Sequence, residues 1–152
     1  MYEKILVPVD GSEPAAGGLA EAIKIAKSFG GKIRLVHVVN EFIIDATYGP
    51  GAYTNDILKS LRDIGAGILK DAEALVRKEG VEAESVLLES IGGPAADPIA
   101  VQARQWPADL IVMGTHGRRG LARLALGSDA EEVVRIMPVP VLLVRSEKKS
   151  RP

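Results

Sequence analysis

Gly114-Thr-His-Gly117-Arg-Arg-Gly120-Leu-Ala-Arg123-Leu-Ala-Leu-Gly127-Ser128 is the stretch that decides how this chain folds. An unbroken apolar run, Leu110-Ile-Val-Met113, leads into it, and Asp129-Ala-Glu-Glu-Val-Val-Arg135, which reads as a helix, leads out. Strand, glycine-punctuated loop and helix in that order make a phosphate cradle. Glycine lets backbone approach an anion with no Cβ in the way and can turn N–H groups into a nest. The helix adds oriented N–H donors and the positive end of its dipole. Arg118, Arg119 and Arg123 lie inside the loop, and no acid does. The order G-x-x-x-x-G-K-[ST] occurs nowhere, nor does G-x-G-x-x-G, so neither a P-loop nor a dinucleotide fingerprint is present.

Outward from the loop, apolar runs alternate with helical periodicity, the pattern of a parallel α/β sheet. Ile5–Val9 reads as a short buried strand, and Asp10-Gly-Ser12 turns into a helix with Pro14 in its first turn, where a missing N–H costs little. Ala15, Leu19, Ala22, Ile23 and Ala26 mark the buried face of that helix, which Gly30-Gly31 ends. Residues 32–39 form a second strand, and residues 40–54, with Gly49-Pro-Gly51, a loop longer than most connections. Ile57, Leu61, Ile64, Ile68, Ala72 and Leu75 carry a long helix to Gly80, followed by a strand over 81–90. Asp97-Pro98 reads as N-cap and first residue of a short helix that Pro107 closes. A strand over 109–113, a helix over 129–136 and a strand over 141–145 complete the chain. Residues 1–147 are expected to make one domain and residues 148–152 a basic, frayed tail.

Composition narrows the function. At 152 residues the chain can bury a real core in one domain. A net charge of −1 argues against an electrostatic nucleic-acid binder. No apolar stretch reaches membrane-spanning length, and residues 1–10 lack a signal-peptide layout. With no cysteine, thiol catalysis and disulfides are excluded, and a reducing compartment, the cytoplasm, is the expected location. His37 and His116 lie too far apart in the chain to suggest a transition-metal site without cysteine.

The spacing Gly114, two residues, Gly117, nine residues, Gly127-Ser128 resembles the nucleotide-binding signature of the universal stress protein family, in its ATP-binding subgroup. Lys4–Ser12, Ile33–Val38, Ala108–Arg118 and Val139–Val144 resemble that family's first, second, fourth and last strands with their turns. Only residues 40–53 have no clear counterpart. The resemblance implies an open doubly wound five-stranded parallel sheet of order 3-2-1-4-5, with helices on both faces, as in the adenine nucleotide alpha hydrolase-like fold. It also implies ATP or another adenine nucleotide, with Mg²⁺ or Mn²⁺, at the crevice between strands 1 and 4, where the winding reverses.

Carried onto this sequence, the nucleotide-binding set is Pro8, Val9, Asp10, Val38, Met113, Gly114, Gly117, Arg118, Gly127, Ser128, Asp129 and Ala130. Asp10 would hydrogen-bond the nucleoside with Pro8 and Val9 packed beside it, and Val38 would set backbone groups against the adenine edge. Each position also has a plainer reading. Asp10 can satisfy the Gly11-Ser12 turn, and Ser128-x-x-Glu131 spells a capping box. His37 reads as a satisfied core or semi-buried histidine, His116 as a phosphate contact or a solvated residue, and Trp106 as a cap on the core. Asp129 departs from the uncharged residue that the family's ATP binders carry there; it suits the helix dipole but repels a triphosphate unless a metal intervenes. The expectation is a homodimeric, cytoplasmic, ATP-binding stress-response or regulatory module, paired through Val141–Arg145, that hydrolyses ATP slowly at most. A slow ATP hydrolase and a nucleotide-independent interaction module are the alternatives. No catalytic residue is assigned.

Overall fold

A computed structural model describes residues 1–40, 49, 54–90, 92–115 and 127–146. Its elements are β1 (Lys4–Pro8), α1 (Glu13–Phe29), β2 (Lys32–Asn40), α2 (Asn55–Lys78), β3 (Ala83–Ser90), α3 (Ala96–Gln105), β4 (Leu110–Gly114), α4 (Ser128–Ile136) and β5 (Val141–Val144). The five strands form one parallel sheet in the order β3-β2-β1-β4-β5, as the resemblance implied.

Side-chain alternation sorts the core into two layers. Ile5, Val7, Ile33, Leu35, Leu110 and Val112 face α1 and α2. Leu6, Val36, Ile111 and Met113 face α3 and α4. Fully buried on both faces, these strands need not alternate with polar residues. Asp109 anchors the start of β1, its carboxylate accepting from the backbone N–H of Glu3 at 3.0 Å and of Lys4 at 2.9 Å.

Local signals explain α1 closely. Ser12 is its N-cap, the hydroxyl accepting from Ala15 N–H at 3.3 Å. Gly30 ends it at φ 68°, and its N–H returns to the Ala26 carbonyl. The five residues expected to be inside are all buried, joined by Gly18.

Three expectations are corrected. The buried face of α2 is Leu58, Gly65, Leu69, Ala72 and Val76, while Ile64 and Leu75 stand about half exposed at 51% and 46%. Two apolar stripes overlap on this helix, and the one holding small residues wins because it lets the helix approach the sheet. A Cβ on Gly65 would lie 2.6 Å from His37 Cδ2. Second, Asp97 is not the N-cap of α3; Ala95 is, with no side-chain cap. A backbone turn from Asp97 N–H to the Pro94 carbonyl at 3.1 Å winds the chain before Asp97 is reached. Third, Ser128 is not a capping-box N-cap but the first residue of α4, and Gly127 is its N-cap without a side-chain bond. Trp106 is buried as expected, but cations cover it: the Arg34 guanidinium lies 4.7 Å from its ring centroid and Lys4 Nζ 5.9 Å.

Candidate nucleotide site at the carboxyl ends of β1 and β4

β1 pairs with β2 over its whole length, Lys4↔Lys32 through Pro8↔Val36, but with β4 only at Ile5↔Leu110 and Leu6↔Ile111. Pro8 contributes to this asymmetry. Successive backbone N–H groups in a strand point to opposite edges. Val9 N–H donates to the Val36 carbonyl of β2 at 2.8 Å, whereas the Lys4 carbonyl accepts from Asp109 beside β4 at 2.8 Å. The position of Pro8 therefore faces β4, and proline has no donor to extend that ladder. The two strands part, and a crevice opens between their carboxyl ends. The helices that follow them leave on opposite faces, α1 with one core layer and α4 with the other. This is the switch point at which open α/β sheets hold ligands.

Two clasps shape the crevice. Gly127 N–H donates to the Thr115 carbonyl at 2.7 Å, and Thr115 N–H donates to the Val144 carbonyl at 3.1 Å. The first residue after β4 thus holds the N-cap of α4. Ser128, Asp129 and Ala130 form the first turn of α4 and set the positive end of its dipole at the end of β4. On the β1 side, His37 Nδ1 lies 2.8 Å from the Val9 carbonyl, and Asp10 Oδ1 accepts from Ser12 N–H at 2.9 Å. The plain readings of His37 and of Asp10 as a turn residue are both realised.

Gly114 has a structural cause of its own. A Cβ there would sit 2.5 Å from the Pro14 carbonyl oxygen and 2.6 Å from its carbon. Opposite it, a Cβ on Gly18 would lie 3.0 Å from Gly114 N. The two glycines let α1 rest directly on β4. Among the predicted site residues, Pro8, Val9, Asp10, Val38, Met113, Gly114, Gly127, Ser128, Asp129 and Ala130 cluster at strand ends or the α4 start. Gly117 and Arg118, with His116, Arg119, Gly120 and Arg123, lie outside the described residues. So do residues 148–152.

Sequence reasoning passed over three buried polar residues at this end of the sheet: Asn40 at 8% exposure, Ser90 at 6% and Thr115 at 9%. Ser90 Oγ donates to the Gly93 carbonyl at 2.7 Å and draws in the turn that starts α3. A polar residue closing an apolar strand, as in Val38-Val39-Asn40, was the available signal. Nearby, Arg62 of α2 forms an ion pair with Glu89 of β3, and its hydrogen bond holds the Glu89 carboxyl below the usual range against the opposing effect of burial. Among the described residues, no group of three or more His, Asp or Glu is gathered to hold a metal ion. No helix among them is long and apolar enough to cross a membrane.

Residues 1–145 match the family model described as the universal stress protein family. The chain belongs to that family. This universal stress protein is 36% identical over 149 residues to a universal stress protein of Methanocaldococcus jannaschii, covering 98% of this chain and 85% of the relative. Among solved structures it resembles universal stress protein UspA from Lactobacillus plantarum, with 31% identity and a TM-score of 0.76 over 95% of this chain and 98% of that one. It also resembles a universal stress protein from Archaeoglobus fulgidus in complex with dAMP, with 28% identity and a TM-score of 0.67 over 94% and 98% of the two chains.

Proposed function

We propose that this universal stress protein binds an adenine nucleotide, ATP with Mg²⁺ or Mn²⁺, in the crevice between β1 and β4. In this reading it works as a cytoplasmic, homodimeric stress-response or regulatory module built from one domain over residues 1–147. The observation that carries the reading is the Thr115–Gly127 clasp, which holds a helix N-terminus at the mouth of a switch-point crevice. The dAMP complex of the Archaeoglobus fulgidus relative supports the nucleotide class. Pro8, Val9, Val38 and Met113 would pack the base, and Asp10 would bond the nucleoside. The backbone of Gly114, Gly117 and Gly127 would approach the phosphates, joined by Ser128, Ala130 and the Arg118 guanidinium. A divalent ion is compatible with Asp10 and Asp129, since Mg²⁺ commonly uses one or two carboxylates, waters and substrate phosphates. Assembly would run through the strand Val141–Arg145.

Isothermal titration with ATP, in the presence and absence of Mg²⁺, tests the binding. A phosphate-release assay on the same sample is expected to show turnover far below the roughly 10 s⁻¹ of a median enzyme. Turnover near that rate would make the protein a hydrolase, and the absence of binding for ATP, ADP and AMP alike would reject the nucleotide reading.

Asp129 supplies a sharper result. Two like charges a few ångströms apart near a protein surface repel by on the order of 1 kcal/mol or more. Asp129→Ala should therefore tighten metal-free ATP binding by roughly fivefold. With Mg²⁺ present the gain should shrink or reverse, because the ion turns the carboxylate into a favourable neighbour. Equal effects in the two titrations would reduce Asp129 to a helix-dipole residue.

A further inference from the structure

On the side of α2 turned away from the sheet run Ile57, Ser60, Ile64, Gly67, Asp71 and Ala74, spaced alternately three and four residues apart. That spacing is the seam of a helix pair. Ile64 is 51% exposed, and Ser60, Gly67 and Ala74 are exposed too. Gly67 has no cause within the described chain. A Cβ there would meet nothing within 4 Å, and glycine inside a helix costs about 1 kcal/mol relative to alanine. A second helix lying against this face would need that residue to be small.

Beside the seam lies an exposed charged row, Asp56, Asp63, Lys70 and Arg77, acidic in the first half of the helix and basic in the second. A parallel copy would set like charge against like. An antiparallel copy, related by a twofold axis near the middle of the helix, sets Asp63 beside the copy's Lys70 and Asp56 beside the copy's Arg77. Arg77 also pairs with Glu73 of its own helix, so the inner pair is the stronger indication. The same register lays Ile64 over the copy's Gly67 and Ile57 over its Ala74, and brings Asp71 to the copy's Ser60 hydroxyl. Shape and charge agree on one alignment.

We propose that α2 is a second self-association surface, on which two copies of this chain pair antiparallel about a twofold axis. The helix packs on β2 and β3, and β5 is the opposite edge of the sheet. One copy can therefore pair through α2 and through β5 at once, which joins dimers into larger assemblies. One face of a 24-residue helix, about 36 Å long and about 10 Å wide, covers roughly 360 Å². A standard interface covers about 800 Å² per partner, so the α2 contact is the weaker one and forms at high protein concentration.

The experiment follows assembly of the full chain by sedimentation and light scattering from micromolar to millimolar concentration, alongside thermal melts. Asp63→Lys and Lys70→Asp should each weaken the α2 step about tenfold, since the twofold axis presents every reversed pair twice. An equimolar mixture of the two variants should recover wild-type assembly, because each then meets its opposite charge. Gly67→Leu should also weaken the step about tenfold by filling the place of the copy's Ile64. It should melt no lower than wild type, leucine being the better helix former. β5 is untouched in every sample, so these differences belong to α2. A mixture that assembles no better than its components, a Gly67→Leu chain that assembles like wild type, or a wild-type chain that stays monomeric up to millimolar concentration overturns the proposal.

Discussion

Gly114→Ala is expected to destabilise the protein by about 3 kcal/mol, the upper end of the usual overpacking cost. The added methyl would sit 2.5 Å from the Pro14 carbonyl oxygen and 2.6 Å from its carbon, both backbone atoms that cannot rotate aside. Relief requires α1 to lift from β4 along its first turn. That movement would disturb the Ser12 cap and the neighbouring end of β1. For a chain of this size such a loss lowers the melting temperature by roughly 6–12 °C. Gly18→Ala is a graded comparison, because its nearest contact would be a looser 3.0 Å to Gly114 N. Thermal and denaturant unfolding of both variants measures the difference. A Gly114→Ala protein that melts with wild type would show that the close approach of α1 to β4 is not a constraint on the fold.

A pair of proline substitutions in β5 should separate folding from assembly. Ile111 N–H donates to the Pro140 carbonyl at 3.0 Å, Thr115 N–H to the Val144 carbonyl at 3.1 Å, and Ile111 is in register with Val141. In parallel pairing this gives Leu142 and Val144 backbone groups that face β4, and Val141 and Leu143 groups that face outward. Leu142→Pro removes a donor from the β4 ladder and leaves a buried carbonyl without its partner, which costs about 1–3 kcal/mol. Its melting temperature should fall. Leu143→Pro leaves that ladder intact but removes an outward donor from an edge strand that carries no charge. In a homodimer joined through this strand about a twofold axis, it should favour monomer, with monomer stability lowered only by the lost packing of the Leu143 side chain. Sedimentation and melts on both variants decide the matter. A wild-type chain that stays monomeric at micromolar concentration, or two variants with the same phenotype, would defeat the proposed interface.

How much of this could be read beforehand depends on whether neighbours or distant contacts fix each feature. The buried face of α1 followed from its own spacing, and Gly30 ended it as a helix-terminating glycine should. The strands announced themselves because β4 is apolar throughout, β1 is apolar after Lys4, and both are short. The order of those strands was not in their periodicity; it came from the resemblance carried by the Gly114–Ser128 spacing. Where the reading failed, a contact from elsewhere in the chain was responsible. The face of α2 is chosen by His37, on another element, which fits against Gly65 and would not fit against a larger residue. Ser128 lost the cap because the Thr115 carbonyl, twelve residues earlier, holds Gly127 in that place. Gly114 looked like an anion-binding glycine, and the shape of α1 supplies an independent reason for it. Asn40 and Thr115 went unremarked because a polar residue at a strand end carries no signal until the sheet brings those ends together.

The contact between His37 and Val9 fixes which ring nitrogen carries hydrogen. A carbonyl oxygen can only accept, so the His37 Nδ1 that lies 2.8 Å from it must carry hydrogen. Nε2, the other ring nitrogen, lies on the side turned toward Gly65 of α2. The Nδ1 hydrogen bond ties the end of β1 to β2. The same ring is a built-in spectroscopic probe: its Nδ1–H resonance reports on the residue adjoining Asp10, and should move when the crevice fills.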